Sequence, residues 1–416
     1  MTAQRDEVLI IGGGVIGLAT ALALIEAGRG VRVLEAAAVG SGASHGNCGT
    51  ITPSHAPPLA APGMVALGLR WMFTPDAPLY LKPRLDPGLW RWLAHFAGRC
   101  NPKDWRHSTK SRSAILNDSR TRLAQWIAGY GLQCEFAEEG LDYVFREQAR
   151  FEHYAKECEL LREFGIVSEI FDGADYLRGE PALKPGVAGA VRFPDDARLR
   201  PDRYVAELAR AVRERGGVIE ENCRVDSLQD SATGAIVGTS LGPRGGSDAV
   251  VALGAWSPAL ARTLGIRLPI QPGKGYSITY SRPALVPRRA MVLKDRQVCV
   301  TVWDSGFRLG STMEFSGHDE SLNITRLSAL ERGAAEYLHE PVGATVHERW
   351  CGWRPMTWDD LPILGRAPRH RCLWLAAGHG MLGVSMSAAS GQLMADLITG
   401  RATAIDPAPY RLERFL

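Results

Sequence analysis

The sequence predicts an α/β fold with a second, α+β part, and three observations support this prediction. The first 35 residues have the order strand, glycine turn, helix and strand, which is typical of a parallel βαβ unit. Residues 267–345 contain short runs rich in β-branched and aromatic residues, which predict an antiparallel or mixed sheet. The chain has 416 residues, more than one small core needs, so we expect two domains.

The N-terminal unit is built around the turn from Gly12 to Gly17. An apolar run at residues 8–11 precedes the turn and predicts a buried parallel strand. Good helix formers follow at residues 18–27, and a second strand at residues 31–34 leads to Glu35. A strand, a Gly-x-Gly-x-x-Gly turn, a helix, a strand and an acid in this order are typical of dinucleotide-binding units.

Each of these residues has a chemical reason to be there. Gly12 permits a tight turn, Gly14 lets a pyrophosphate approach the backbone, and Gly17 lets the helix pack closely on the strand. The helix N-terminus offers free N–H groups and partial positive charge to a phosphate. Glu35 lies 18 residues after Gly17, where a carboxylate can accept hydrogen bonds from ribose hydroxyls. We therefore predict a bound dinucleotide, and a glycine turn without a ligand is the alternative.

Two further stretches of small residues predict contacts with the same ligand. Residues 40–50 are small or hydroxyl-bearing, which suits a backbone that lies along a long cofactor; a flexible loop is the alternative. Residues 378–385 are rich in glycine and lead into a helix over residues 388–398, whose N-terminus again presents N–H groups. Between them, a buried strand at residues 248–253 ends on Gly254, with Trp256 just beyond.

Composition excludes several classes of protein. The net charge of +3 and the pI near 8.4 do not favour nucleic acid as a partner, although they allow weak attraction to an anionic membrane. The eight cysteines are scattered without a C-x-x-C pair, so we expect reduced thiols and no metal site. No signal peptide and no run of about 18 apolar residues is visible. We expect a cytoplasmic protein, soluble or peripheral on the inner face of the cytoplasmic membrane.

Residues 55–105 differ from the rest because proline and aromatic residues dominate them. Helices are predicted over residues 63–73 and 88–98. The segment could be a lid, a partner surface or a membrane contact. An alternative with equal support is that the tryptophans of this segment form the core of an inserted subdomain. Elsewhere the pattern predicts helices within residues 110–165 and over 202–215, and strands at 141–145, 276–280, 297–302 and 306–310.

Five motifs together resemble the FAD-dependent D-amino acid dehydrogenase family, of the small-subunit type, within the D-amino acid oxidase and glycine oxidase superfamily. They are the glycine turn, Gly-Ser-Gly-Ala-Ser at 40–44, Lys-Gly-Tyr-Ser at 274–277, Trp-Cys-Gly-Trp-Arg-Pro-Met-Thr at 350–357 and Gly-His-Gly-Met-Leu-Gly at 378–383. The resemblance covers most of the chain. It implies a Rossmann-like FAD-binding domain of glutathione-reductase type, made of residues 1–56, 191–262 and 346–416. A substrate domain with a mixed or antiparallel sheet would comprise residues 57–190 and 263–345.

The resemblance also implies which residues hold FAD. The N-terminal turn and the acid would bind ADP, residues 42–49 would run along the pyrophosphate and flavin, Val225 would lie at the adenine, and residues 380–383 would lie at the flavin. The implied cofactor residues are Gly12, Gly14, Val15, Ile16, Gly17, Glu35, Ala36, Gly42, Ala43, Ser44, Asn47, Gly49, Val225, Gly254, Trp256, Gly380, Met381, Leu382 and Gly383.

Arg354 matches the arginine that pairs with the substrate carboxylate in this family. A planar guanidinium suits a carboxylate because it can form two parallel hydrogen bonds. A structural arginine bonded to backbone carbonyls is the alternative. Tyr276 is a weaker candidate for a pocket wall or a carboxylate contact, against a core tyrosine. His45 and His379 lie in flavin loops, where we expect a positional role rather than acid–base catalysis.

The implied reaction is oxidative deamination of a D-amino acid, with hydride transfer from Cα to flavin N5 and electrons passed to a quinone or another carrier. Trp353 and the Trp-Asp-Asp-Leu-Pro run at 358–362 depart from the family pattern near the expected pocket. A flat pocket would suit a ring, so D-proline and D-hydroxyproline join D-alanine as candidate substrates. The alternatives are an oxidase that uses O₂, an NAD-dependent dehydrogenase, or a flavoprotein subunit of a larger electron-transfer complex.

Overall fold

The computed structural model describes residues 7–71, 79–231 and 233–416. Its helices pack around and between two large sheets. They are α1 (Val15–Glu26), α2 (Met64–Trp71), α3 (Pro87–Arg99), α4 (Pro102–Tyr130), α5 (Gln148–Leu161), α6 (Gly173–Gly179), α7 (Pro201–Glu214), α8 (Ser257–Thr263), α9 (Ile324–Tyr337) and α10 (Gly383–Thr399). None of these helices combines the length and the apolarity that a membrane crossing requires.

The first sheet has six strands and contains the predicted βαβ unit. In spatial order they are β19 (Ile363–Arg366), β20 (Leu373–Ala377), β13 (Asp248–Val251), β1 (Glu7–Ile11), β2 (Gly30–Leu34) and β9 (Val218–Glu220). All neighbours are parallel except β19, which runs antiparallel to β20. The carboxyl ends of five strands therefore meet at one edge, where ligands bind in folds of this kind.

The second sheet has nine strands and is mixed. Its main path is β18 (Val346–Met356), β14 (Gln271–Tyr280), β17 (Gly306–Phe315), β16 (Val298–Trp303), β15 (Ala290–Leu293), β5 (Leu141–Phe145), β7 (Gly189–Phe193) and β6 (Glu169–Asp172). Strand β4 (Leu79–Leu81) pairs with β17 off this path. The five strands from β18 to β15 are antiparallel neighbours, and β15 meets β5 in parallel.

Two small sheets complete the described structure. Strands β10 (Val225–Ser231), β11 (Gly234–Thr239) and β12 (Arg244–Gly246) form an antiparallel meander. Strands β3 (Thr50–Ile51) and β8 (Ala197–Arg198) form a two-residue ladder that connects the small-residue stretch to the chain before α7.

Helices α1 and α10 pack directly against each other and form the centre of the largest apolar core. Ten consecutive residues of α1, from Val15 to Leu24, are buried, so this helix has no solvent face. Gly391 of α10 makes the contact possible, because a β-carbon there would overlap the backbone of Ala19 in α1. Both helices follow strands of the first sheet, so this close contact also fixes the relative position of their N-termini.

The structure confirms most predicted elements, including the βαβ unit and the strands at 141–145, 276–280, 297–302 and 306–310. In the Pro- and Trp-rich segment, α3 matches the predicted helix, and α2 ends at Trp71, beyond which residues 72–78 lie outside the described part. Trp92 is buried whereas Trp90 is 56% exposed, so the segment contributes both a small core and a surface. The division into two domains stays a prediction; residues 346–356, which it assigns to the cofactor domain, form the edge strand β18 of the second sheet.

The contact between α1 and α10 can be tested with one methyl group. We expect Gly391→Ala to lower the free energy of unfolding by about 1–3 kcal/mol, because the new carbon has only backbone atoms around it. Gly129→Ala in α4 is the matched control: nothing lies within 4 Å of the place that its new methyl would take, and removal of a helical glycine should stabilise by up to about 1 kcal/mol. Urea unfolding of both variants would measure the difference, and equal effects would contradict this account of the packing.

Candidate active site

A cavity of about 1010 Å³ lies between the carboxyl edge of the first sheet and the face of the second. Its size lies at the upper end of the range for small-molecule sites and suits a long ligand together with a second, smaller one. The N-terminal residues of both α1 and α10 line it, together with residues 40–48 in part, residues 223–226 and residues 252–256. Strands β14 to β18 supply the opposite wall.

The glycine turn has the shape that a pyrophosphate requires. Gly12 has a φ of +113°, and a β-carbon there would lie 2.6 Å from the Ala252 carbonyl oxygen. A β-carbon at Gly17 would overlap the carbonyl oxygen of Gly12, so this glycine closes the turn onto the helix. At Gly14, by contrast, a β-carbon would meet only the Ser44 hydroxyl at 3.6 Å, which leaves its cavity side open to a ligand. The N-cap residue Gly14 has no side chain, so the first N–H groups of α1, apart from that of Val15, have no side-chain acceptor among the described residues.

Glu35 and Ser44 shape the same end of the cavity. The Gly13 N–H donates to Glu35 Oε2 at 2.6 Å and the Ala37 N–H donates to Oε1 at 3.0 Å, which fixes the carboxylate at the cavity wall. The Val15 N–H donates to Ser44 Oγ at 3.2 Å and so ties the small-residue stretch to the start of α1. This combination of a free helix end, an oriented carboxylate and an open glycine fits an adenine dinucleotide.

The N-terminus of α10 faces the cavity from a second direction. Residues 379–384 line it, no side chain caps the helix, and no acidic residue lies in its first turn. His379 is buried, and its Nε2 lies 3.0 Å from Ser390 Oγ. Burial lowers the pKa of His379 to about 3, so the imidazole is neutral and its role is to hold the turn.

Of the predicted cofactor residues, all but Gly17 and Gly49 line the cavity. Gly17 lies behind the turn, and Gly49 packs against the Leu199 carbonyl, with a φ of +76°. The individual contact of each residue with FAD stays a prediction. Within the described residues, no group of three or more His, Cys, Asp or Glu side chains could hold a metal ion.

Arg354 of β18 lies in the wall formed by the second sheet. Its Nη1 donates to the Thr312 carbonyl at 2.6 Å, and Nη2 lies 3.5 Å from the Ser311 carbonyl. Among the described residues no carboxylate forms an ion pair with it, and burial lowers the pKa of its guanidinium from the usual value. The side chain is thus anchored by neutral carbonyls, as the alternative interpretation expected, but it also lines the cavity with its charge uncompensated.

Two backbone features in neighbouring strands create the place for this guanidinium. Gly275 of β14 lies directly beneath it, and a β-carbon at this position would overlap the guanidinium group. Strand β17 has a bulge opposite, where the register shifts and Thr312 takes a φ of +60°, which is strained for a β-branched residue. The bulge turns the Ser311 and Thr312 carbonyls towards Arg354, a device that the sequence pattern did not reveal.

The Tyr276 hydroxyl is not close to the guanidinium. Successive side chains of a strand point to opposite faces, and Gly275 faces the guanidinium. The Tyr276 hydroxyl donates to Glu314 Oε2 at 2.9 Å, and its ring belongs to the core that includes Ile278 and Tyr280. Burial and Glu314 raise the pKa of Tyr276. The geometry therefore favours a core tyrosine over a carboxylate contact, although Tyr276 remains among the cavity-lining residues.

His45 and the residues that depart from the family pattern have clear positions. His45 Nε2 lies 2.8 Å from Glu348 Oε1, and this hydrogen bond raises the pKa of His45. Trp353 lines the cavity, and its buried indole N–H has no acceptor among the described residues. Asp359 forms an ion pair with Arg414, and the buried Asp360 lies 3.8 Å from Arg112. Of the residues that depart from the family pattern, only Trp353 thus lines the cavity.

Lys294, which the sequence analysis overlooked, is a second cation at the cavity. Its ammonium lies 4.4 Å from the ring centroid of Tyr143 and 4.8 Å from that of Tyr154. Burial lowers the pKa of Lys294 to about 8. The Tyr143 hydroxyl lies 2.5 Å from Nε2 of His55, whose pKa burial and neighbouring cations lower to about 3. A lone lysine directly after an apolar strand was the sequence signal for this group.

Comparison with known proteins identifies a family of FAD-dependent enzymes, which agrees with the cofactor site described above. Residues 7–397 match the family described as "DAO: FAD dependent oxidoreductase". A D-amino acid dehydrogenase of Rhizorhabdus wittichii is 33% identical over 98% of this chain and 100% of its own length. A protein with the same name in Methylobacterium nodulans is 34% identical over 99% of both chains.

Solved structures share the fold over the whole chain. Glycine oxidase from Geobacillus kaustophilus has a TM-score of 0.78 at 25% identity and covers 99% of this chain and 100% of its own. L-proline dehydrogenase from P. horikoshii has a TM-score of 0.74 at 19% identity, with 99% and 98% covered, which shows the fold alone. The chain belongs to the FAD-dependent oxidoreductase family, FAD is its cofactor, and the resemblance stated from the sequence motifs is confirmed.

The cost of burying the Lys294 ammonium gives a pH-dependent prediction. Its pKa is about 8 in the folded protein and 10.5 for a fully solvated lysine, so the cost is complete below pH 8 and disappears above pH 10.5. We expect Lys294→Met to raise the free energy of unfolding at pH 7 by on the order of 2 kcal/mol, and the gain to shrink as pH rises towards 10.5. Urea unfolding at pH 7 and 9.5 measures this, with exposed Lys156→Met as control. If the stability gained by Lys294→Met does not vary with pH, the buried ammonium is not its cause.

Proposed function

We propose that this protein oxidises the Cα–N bond of a D-amino acid or a cyclic D-imino acid and passes the electrons to a quinone or another carrier. The product would be the imino acid, which hydrolyses to the 2-oxo acid where the amine is primary. The family and the relatives named D-amino acid dehydrogenase, at 33–34% identity over nearly the whole chain, support this proposal. NAD does not fit a chain that matches an FAD-dependent family over residues 7–397.

The observation that carries the proposal is the state of Arg354. A half-buried guanidinium without a carboxylate partner is expensive to keep unless a ligand supplies the anion. Its position in the wall of a cofactor-sized cavity limits that ligand to a small molecule placed beside the cofactor. A carboxylate with two oxygens in one plane is the group that a guanidinium binds best.

The chain's own contribution to the reaction is to bind and orient. FAD supplies the two-electron acceptor when it is bound. Arg354 holds the carboxylate of the substrate, and the Thr312 and Ser311 carbonyls hold Arg354, so the carboxylate end of the substrate has a fixed position. With that end fixed, the neighbouring Cα has few orientations left, which is the usual source of rate in such sites. We assign no protein side chain as the base.

Trp353 supports a cyclic substrate. The indole forms part of an aromatic group with Trp256, at a centroid distance of 5.4 Å, and with His318, at 5.8 Å. A flat apolar wall suits a pyrrolidine ring, and the unpaired indole N–H could donate to a ring hydroxyl or to a carbonyl of the cofactor. D-proline and D-hydroxyproline are therefore our preferred substrates over D-alanine.

The main experiment is anaerobic bleaching of the flavin band, at about 450 nm, by a panel of D- and L-amino acids, glycine, sarcosine and cyclic D-imino acids. The proposal expects bleaching by D-forms only. No bleaching by any of them in FAD-loaded protein would contradict it. The second candidate is an oxidase, favoured by the structural similarity to a glycine oxidase. Rapid recovery of the yellow colour on admission of air would support the oxidase, and persistence of the reduced state would support the dehydrogenase.

Arg354 can be tested by its effect on substrate binding. We expect Arg354→Met to raise KM for the substrate by at least about 30-fold, because a buried charge pair is worth about 2–5 kcal/mol. FAD content should stay unchanged. The KM of Arg354→Lys should lie between that of the unmodified protein and that of Arg354→Met, since a lysine keeps the charge and loses the planar fork. Arg349→Met, on the exposed part of the same strand, is the control. An unchanged KM in Arg354→Met would remove the arginine from the site.

An exposed apolar surface supports contact with the inner face of the membrane, where a quinone would be available. On α2, Val65, Leu67 and Leu69 are 43%, 38% and 57% exposed, and no residue of this helix is buried. Leu85, just before α3, and Trp90, within α3, are also exposed. Val65 and Leu69 are four residues apart and share one face of α2, and apolar helix faces bind at membrane interfaces.

This membrane contact predicts sedimentation with anionic vesicles. We expect Leu69→Glu to reduce co-sedimentation several-fold, because the new charge would have to enter the interface. Leu241→Glu is a matched control: Leu241 is 56% exposed, like Leu69 at 57%, but lies in the turn between β11 and β12. The proposal of a membrane contact is wrong if the unmodified protein stays in the supernatant with both neutral and anionic vesicles.

A further inference from the structure

Two cysteines that are distant in sequence meet in the wall of the cavity. Cys48 comes from the small-residue stretch and Cys299 from strand β16; both line the cavity, and both are half-buried free thiols. The function proposed above uses neither of them.

Backbone geometry brings this pair together. Cys299 lies directly opposite Gly310 in the ladder between β16 and β17. A β-carbon at Gly310 would lie 2.5 Å from Cys48 Sγ, so the Cys48 sulfur occupies the place of the missing side chain. Side chains at directly opposed positions have their β-carbons about 4.5–5.5 Å apart. Cys48 and Cys299 therefore sit as neighbouring side chains on one face of the sheet.

The surroundings of the pair favour reaction at Cys48. The neighbouring Cys299 thiol lowers the pKa of the Cys48 thiol despite its burial, and the Arg354 and Arg308 cations act in the same direction. Arg308 is held close by, because its Nη1 donates to the Asn47 carbonyl at 2.7 Å. The Cys299 sulfur lies 3.8 Å from the Thr301 hydroxyl, which can support it when it reacts second. Cationic, accessible positions are where reactive cysteines are found.

We propose that Cys48 and Cys299 form a thiol pair that hydrogen peroxide oxidises to a disulfide, with Cys48 attacking the peroxide and Cys299 closing the bond. In the first step the Cys48 sulfur bonds to one peroxide oxygen, the O–O bond breaks, and the other oxygen leaves as water with the thiol proton. In the second step the Cys299 sulfur bonds to the Cys48 sulfur, the S–O bond breaks, and a second water leaves. Two thiols and one peroxide give one disulfide and two waters.

The test is peptide mapping of the FAD-loaded protein after treatment with hydrogen peroxide. Trypsin places Cys48 in the peptide of residues 33–70 and Cys299 in the peptide of residues 297–308, and each peptide holds a single cysteine. We expect these two peptides to become joined, with a loss of two of the eight titratable thiols and recovery on treatment with dithiothreitol. Intact flavin absorbance checks that the protein remains folded.

The order of the two steps has its own test. In Cys299→Ser the reaction should stop at the sulfenic acid, so dimedone should label residue 48 after peroxide; in Cys48→Ser, dimedone should leave Cys299 unlabelled. Cys100→Ser, which removes a half-buried thiol outside the cavity, should still form the cross-link. If a variant does not fold, the alkylation rates of Cys48 and Cys100 are compared in the unmodified protein. We expect Cys48 to react faster.

Either of two results would overturn the proposal. One is peroxide oxidation of Cys100 while Cys48 and Cys299 stay free. The other is over-oxidation of Cys48 without any cross-linked peptide. Both readouts are independent of the substrate, so the thiol pair stands or fails separately from the proposed function.

Discussion

Two helix N-termini directed at one cavity are the constraint on which the rest of this structure depends. Helix α1 follows β1 and α10 follows β20, and both strands are neighbours of β13 in the same sheet. Strands in a sheet lie about 4.8 Å apart, so the two positive helix ends are separated by roughly 10 Å. That separation allows one extended anion to interact with both ends. The spacing is kept by two glycines, Gly17 and Gly391, each of which lets backbone approach backbone more closely than any side chain would permit.

The opposite wall uses glycines for a different purpose. In β14 and β17, Gly275 and Gly310 leave room above the sheet, which the side chains of Arg354 and Cys48 occupy. The strained conformation of Thr312 costs on the order of 1–3 kcal/mol, and the hydrogen bond from Arg354 to its carbonyl offsets part of that cost. A flat sheet thus becomes a chemically varied surface through missing side chains and one bulge.

The sequence predicted the first wall far better than the second. The turn from Gly12 to Gly17, the acid Glu35 and the glycine-rich start of α10 are local patterns, and local patterns can be read from adjacent residues. Arg354 came from resemblance alone, and nothing near it in the sequence indicated that Thr312 and Gly275 would hold it. Lys294, His55 and the thiol pair depend on which strands become neighbours, and that information lies in long-range pairing. Tyr276 shows the same limit, because its strand face decides whether the hydroxyl meets a ligand or Glu314.

The carbonyl anchoring of Arg354 has a consequence for the end of the catalytic cycle. Oxidation at Cα would change the nitrogen and the geometry of that carbon but leave the carboxylate as it was. The guanidinium would therefore hold product about as firmly as substrate. The binding energy of this shared interaction raises occupancy, whereas the orientation that it gives to Cα serves the chemical step. Simple monocarboxylates that lack an amine would occupy the same position. On the proposed function, turnover at high substrate would then be limited by how quickly a carboxylate leaves a cation that has no anionic partner among the described residues.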